Sequence, residues 1–252
     1  MKPLGIWLSM AYFFIPALIF AGAYYLIMPW LLNKGVLPYY AYAIGLGVPL
    51  VGLLIAALMA YTLEGNPMRW SALMSRFGYR PLSGRDLLVV AIIFAVEMLL
   101  YFGLSLITSW LIRRQILPIP TGLPPFLDPR TVWTQDTLEA ATGGLKGNWL
   151  LLLLSAVLLI VNVVGEEFWW RGIVLARQRL AFGAGTLVVH ALLWTMFHRF
   201  KYWDLLNLLP LSFGLTFAVL YLKNSSAGLL MHFISNGVGL VPIALGVLGR
   251  GS

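Results

Sequence analysis

Long apolar runs broken by short polar ones dominate this sequence. Seven stretches read as membrane helices, against a requirement of about 20 apolar residues per span. They are 6–32, 39–63, 86–112, 149 to about 180, 186–200, 204–222 and 227–248. The first is expected to bend at Pro16, and the second carries Pro49. If the fourth continues to about residue 180 as one helix, it is too long to cross upright and must tilt or bend. The loop 64–85 carries Arg69, Arg76, Arg80 and Arg85, and its 68–78 part suits a short amphipathic helix lying along the interface. The longest polar stretch, 113–148, holds Pro118, Pro120, Pro124, Pro125 and Pro129, which argue against regular structure early on. A short helix is expected at 134–142 and a turn at 181–185. The fold class that follows is all-α, a polytopic transmembrane helix bundle of about seven spans, with 1–252 forming a single integral membrane domain.

Composition points the same way. Of 252 residues, 60% are apolar and 10% charged, with a mean hydropathy of +0.87, whereas soluble domains carry about 25% charged residues. The 17 basic residues give a net charge of +8. They are scattered among loops and helix ends, which suits topology and contact with membrane lipids. A nucleic-acid partner is not expected, because that would need basic residues clustered on one face. There is no cysteine, which excludes disulfides, thiolate nucleophiles, cysteine zinc sites and cysteine-linked lipid anchors.

At the N-terminus, Lys2 precedes an apolar run in which Ala21-Gly22-Ala23 resembles a cleavage site. One basic residue is a thin start for a signal peptide, so the first span is expected to be retained. Lys34 alone in the first loop, against four arginines in the second, favours an N-terminus on the inside. The expected location is a cell (plasma) membrane. Gly251-Ser252 reads as a cloning remnant.

Chemistry concentrates in Gly165-Glu166-Glu167-Phe168-Trp169-Trp170-Arg171-Gly172, at the end of the apolar run 149–164. Ionisable residues at bilayer depth are costly and mark functional sites by default. On a helix, Glu167 and Arg171 are four apart, with the acid first, the favourable order for pairing. Glu166 is turned by about 100° from Glu167 and is left free for chemistry, with Asn162 four residues earlier as a supporting partner on its face. The histidines are His190, His198 and His232. If the fourth and fifth spans form a hairpin, Glu166 and His198 have their midpoint at Phe182, inside the expected turn, and lie at similar depth. His232 and Asn236 share a helix face in the last span. Their depth differs from that of His198 by roughly 10 Å, which tilt can absorb. Glu166, His198, His232 and Asn236 are thus expected around one buried pocket. His190 and the tryptophans 169, 170 and 194 read as packing or interface residues. Glu97 reads as a structural acid with a chance of lining the pocket.

These motifs resemble those of a known family. Glu166-Glu167-x-x-x-Arg171, then Trp194-x-x-x-His198, then His232-x-x-x-Asn236 look like the three motifs of the CPBP or Abi family. That family includes the type II CAAX prenyl endopeptidases and bacteriocin-processing or immunity proteins. The resemblance covers about 148–239. Trp194 stands where the family usually has Phe, which keeps an aromatic wall but changes the pocket volume. The resemblance implies an intramembrane endopeptidase acting on a peptide or lipidated protein substrate. Glu166 and His198 would then activate water, and His232 and Asn236 would stabilise the oxyanion. A carboxylate held away from water is also the better general base. No cofactor is firmly implied. Glu166, His198 and His232 would make a two-histidine, one-carboxylate set for a divalent metal such as zinc, although no His-Glu-x-x-His is present. Metal-independent action is favoured, because Asn236 suits hydrogen bonding better than ligation. Two other functions compete: a non-catalytic immunity or scaffold protein of the same fold, and a proton-coupled transporter with Glu97 and Glu166 as relay acids.

Overall fold

The computed structural model describes residues 1–123 and 125–250; Pro124 and Gly251-Ser252, named above, lie outside the described residues. Every regular element among them is helical. Helix α1 (Ile6–Asn33) runs through a π-helical turn at Ala23–Ile27, just before Pro29. Helix α2 (Pro38–Leu63) follows, then the short α3 (Trp70–Phe77) and the long α4 (Gly84–Arg113). The α4 start is fixed by a capping box: Ser83 Oγ accepts from the Asp86 N–H, and Asp86 accepts from the Ser83 N–H at 2.9 Å. Helix α5 (Gln135–Thr142) interrupts the proline-rich loop.

The C-terminal half is organised around a helical run, Trp149–Leu222. At 1.5 Å per residue it would be roughly 110 Å long if straight, far more than the ~30 Å of a bilayer core, so it must double back. It comprises α6 (Trp149–Glu167), a π-helical segment (Phe168–Leu175), α7 (Ala176–Phe182) and α8 (Thr186–Phe197). A 3-10 turn (His198–Asp204) then leads into α9 (Leu205–Leu222). The first reversal is at Gly183, whose φ of +52° suits glycine. The second is at Lys201, whose backbone leaves the helical range at φ −127°, ψ 61°. Helices α10 (Ser225–Gly237) and α11 (Leu240–Val247) end the chain with a bend of 51° between them.

Four helical stretches are long and apolar enough to cross a membrane, or five if the bent α10–α11 pair counts as one span. The all-α architecture expected of the sequence is found, and the count of about seven spans is approximate, because one of these stretches, Trp149–Leu222, doubles back on itself. Within it the fifth expected span contains only the 12 residues of α8 as α-helix, about 18 Å, with a tight turn following His198. The chain is an integral membrane protein.

Packing places α9 between α4, α8 and α10, and α6 against α2, α10 and α11. Two glycines of the acidic motif let α6 and its π-helical continuation approach their neighbours. A Cβ on Gly165 would come within 2.7 Å of the Leu50 carbonyl oxygen of α2, and one on Gly172 within 2.8 Å of the Phe77 ring of α3.

Helix α3 is the short amphipathic element expected at 68–78, with Leu73 and Phe77 buried and Trp70 exposed. It is tied down by Arg76, which donates to both Glu64 carboxylate oxygens at 2.8 Å and to the Gly172 carbonyl at 3.0 Å. Arg177 donates to Glu64 Oε1, also at 2.8 Å. Burial pushes the Glu64 carboxyl up, but the hydrogen bonds from Arg76 and Arg177 outweigh it and hold the group below its ordinary 4.5. A carboxyl depressed on folding stabilises the fold above its unfolded pKa, and that contribution is lost as pH falls through the folded value. Between pH 7 and pH 3, the thermal midpoint of the wild type should therefore fall more than that of Glu64→Gln. Equal falls would show that the two arginines do not act through this charge.

Candidate active site

The site begins in the last turn of α6. Glu166 and Glu167 are both buried (5% and 0% exposed) and point to different partners, as their 100° separation requires. Glu166 Oε2 accepts a hydrogen bond from the Trp194 indole N–H at 3.2 Å. Glu167 Oε1 lies 3.0 Å from an Arg171 guanidinium nitrogen, the i,i+4 contact read from the sequence, and accepts from His232 Nδ1 at 2.9 Å. Glu167 therefore joins two helices, α6 and α10. It can reach α10 because Gly228 leaves room: a Cβ there would meet Glu167 Oε2 at 3.0 Å. Arg171 lies within the π-helical segment, a local widening that often accompanies functional sites. Its guanidinium carbon is 4.3 Å from the centroid of the Trp194 ring, a cation–π arrangement in a desolvated place.

Trp194, on α8, thus touches both ends of the acidic motif. Its ring also stands edge-on to His198 (5.2 Å) and to His232 (5.8 Å). The sequence reading assigned it to packing. The signal it missed is that a buried indole N–H needs an acceptor, and here the acceptor is Glu166. His198 terminates α8, and its Nδ1 lies 3.0 Å from the Trp194 carbonyl oxygen. A carbonyl only accepts, so Nδ1 carries the hydrogen and Nε2 is left as an acceptor in the neutral ring. In the same way the Glu167 carboxylate makes His232 Nδ1 a donor and leaves Nε2 as its free nitrogen.

Glu166, His198, His232 and Asn236 all line one cavity of about 580 Å³. Much of the remaining lining is aromatic. Phe126, from the proline-rich loop, contributes to it by packing on Trp133 (4.3 Å) and Tyr42 (5.3 Å). Asn236 is the most exposed of the four and donates to Asn162 Oδ1 at 2.9 Å. This corrects one expectation: Asn162 lines the cavity, but its hydrogen bond goes to Asn236 rather than to Glu166. Although Asn162 shares a helix face with Glu166, α10 brings an amide donor to it first.

Among the described residues, no three His, Asp or Glu side chains lie close enough to hold a metal ion. Glu166, His198 and His232 share the cavity without converging as ligands. Glu166 is held to Trp194 on α8, whereas His232 is held to Glu167, the next position of α6. Two other polar residues lie elsewhere. His190 contacts Gln178 Oε1 through Nδ1 at 2.7 Å and packs edge-on to Phe13. Glu97, on α4, is buried against Gly214 of α9 and is not a lining residue of the cavity.

No curated protein and no solved structure shows a significant match to the chain. A family model does: residues 148–238 match the description "Type II CAAX prenyl endopeptidase Rce1-like". Its bounds run from the N-cap of α6 to just past the end of α10, the segment that contributes Glu166, His198, His232 and Asn236. This C-terminal segment is thus similar to the type II CAAX prenyl endopeptidases of the Rce1-like family.

Proposed function

We propose that the protein is an intramembrane endopeptidase that hydrolyses a peptide bond of a membrane-associated or lipidated substrate. The observation that carries this reading is the meeting of four polar side chains, from α6, the end of α8 and α10, in one cavity of an otherwise apolar bundle. Glu166 and His198 would hold a water between the carboxylate and the free Nε2. As the water oxygen bonds to the scissile carbonyl carbon, its proton passes to Glu166. The carbonyl oxygen then carries the negative charge and is met by the second N–H of the Asn236 amide and by the Nε2–H of His232 as the imidazolium, whose Nδ1–H stays on Glu167. Collapse of the tetrahedral intermediate breaks the C–N bond, and Glu166 returns the proton to the leaving amine. Glu167 acts one step back, by fixing the ring of His232, and Arg171 by holding Glu167.

The test is to incubate the purified protein in liposomes with a library of hydrophobic and lipidated peptides and to search for new termini by mass spectrometry. Discrete internal cleavages are expected. A library left intact under conditions where the protein is folded would overturn the reading. Within this scheme Trp194→Phe keeps the aromatic wall but removes the N–H that orients Glu166. One hydrogen bond to a charged group is worth about 1.5–3 kcal/mol, so kcat should fall by at least ~10-fold while cleavage stays measurable. An unchanged kcat would reduce Trp194 to a packing role.

A further inference from the structure

The cavity carries a charge that the hydrolytic scheme leaves unused. Among the described residues Lys201 is the only lysine or arginine that lines it. Lys201 lies three residues beyond His198, where the backbone of the 3-10 turn leaves the helical range, and both side chains line the same cavity. The ammonium nitrogen is 3.5 Å from Asp204 Oδ2, an ion contact too long for a good hydrogen bond. Both side chains keep part of their surface open, at 26% and 33%. The ammonium thus brings donors to a cavity whose walls are mostly apolar and aromatic, where a charge-assisted hydrogen bond is stronger than in water.

The same cavity is hostile to a carboxylate at its reactive end, because Glu166 lines it there and like charges repel at short range. The position beside Lys201, whose ammonium is only loosely held by Asp204, suits an acidic group on a bound peptide. We propose that Lys201 is a specificity-determining residue that binds a carboxylate of the substrate close to the scissile bond, with Asp204 as its counter-ion in the unliganded protein. This rests on the hydrolytic reading above and adds to it a substrate class, peptides with a negative charge near the bond that is cut. The carboxylate is either the C-terminus of the chain or an Asp or Glu side chain. The ammonium meets the same chemistry in both cases, and it holds the peptide in one register relative to Glu166 and His198.

The test uses one cleavable peptide in three forms: a free C-terminal acid, its C-terminal amide, and the amide with one Glu placed near the scissile bond. The wild type should favour a carboxylate-bearing form over the plain amide by ~10-fold or more in kcat/KM, the worth of one charge-assisted hydrogen bond, and the preferred form identifies the source. Lys201→Gln should bring the ratio close to one, Lys201→Arg should keep most of it, and Asp204→Asn should widen it. A Lys201→Gln variant that keeps the wild-type ratio overturns the proposal. If that variant does not fold, an unchanged ratio in Asp204→Asn overturns it instead. Binding of the three peptides to Glu166→Gln, followed by the fluorescence of cavity residues Trp133, Trp194 and Trp203, separates the two readings. A carboxylate preference in binding, with no cleavage by the wild type, retains Lys201 and rejects hydrolysis. Cleavage with no preference in binding or rate retains hydrolysis and rejects Lys201.

Discussion

Replacing Glu166 by Gln should abolish peptide hydrolysis, lowering kcat by ~10³-fold or more. General acid–base catalysis by one positioned group contributes typically about 10²–10⁴-fold. In the proposed scheme Glu166 serves twice, taking the proton from water and returning it to the amine. Glutamine is close to isosteric, and its carbonyl can still accept the Trp194 N–H that Glu166 Oε2 accepts at 3.2 Å. The fold should therefore persist, and the thermal midpoint should hold or rise, because a buried charge has been removed. His198→Ala should lose activity on the same scale. If the two residues act on one water, the double variant should be hardly worse than either single one, the non-additivity expected of groups that work as a unit. The measurement is single-turnover cleavage of one peptide by all four proteins in liposomes. Activity above a tenth of wild type in Glu166→Gln would place the catalytic base elsewhere.

Much of the C-terminal half was legible before any coordinates, because it rests on local rules. The i,i+4 spacing of Glu167 and Arg171 reappears as a 3.0 Å contact. The hairpin centred on Phe182 brings Glu166 and His198 to one cavity, since equal distances from a turn give equal depth in antiparallel helices. The spacing of His232 and Asn236 puts both on that cavity as well. What was not legible depends on rotation about helix axes and on contacts between distant elements. The link from Glu167 to His232 spans 65 positions and needs the small residue Gly228 opposite the carboxylate. Asn162 was given to Glu166 by proximity along one helix, whereas α10 supplies its partner. The number of spans stayed approximate because hydropathy records where apolar residues lie, not where a 3-10 turn shortens a helix. The same blindness hid Lys201, one of two basic residues in the aromatic stretch 197–203, which sits at the kink and lines the cavity.

The second large effect concerns stability and activity together. Glu167 is fully buried and is shared by Arg171 and His232. Glu167→Leu would leave the guanidinium enclosed, with only the face of Trp194 to meet its charge. Breaking a buried ion pair from one side costs about 3–5 kcal/mol, so the midpoint of unfolding in detergent should drop steeply. Activity should drop as well, since nothing then holds Nδ1 of His232. The double variant Glu167→Leu, Arg171→Met separates the two consequences. Replacing both members of a buried pair by apolar residues of similar volume is often close to neutral, so stability should return to within ~2 kcal/mol of wild type. Activity should not return, because His232 still lacks its acceptor, and kcat should remain ~100-fold down, the scale of a lost oxyanion contact. Were the double variant to recover both, Glu167 would matter only as the counter-ion of Arg171, and the orientation of His232 would have to come from the Trp194 ring packed against it.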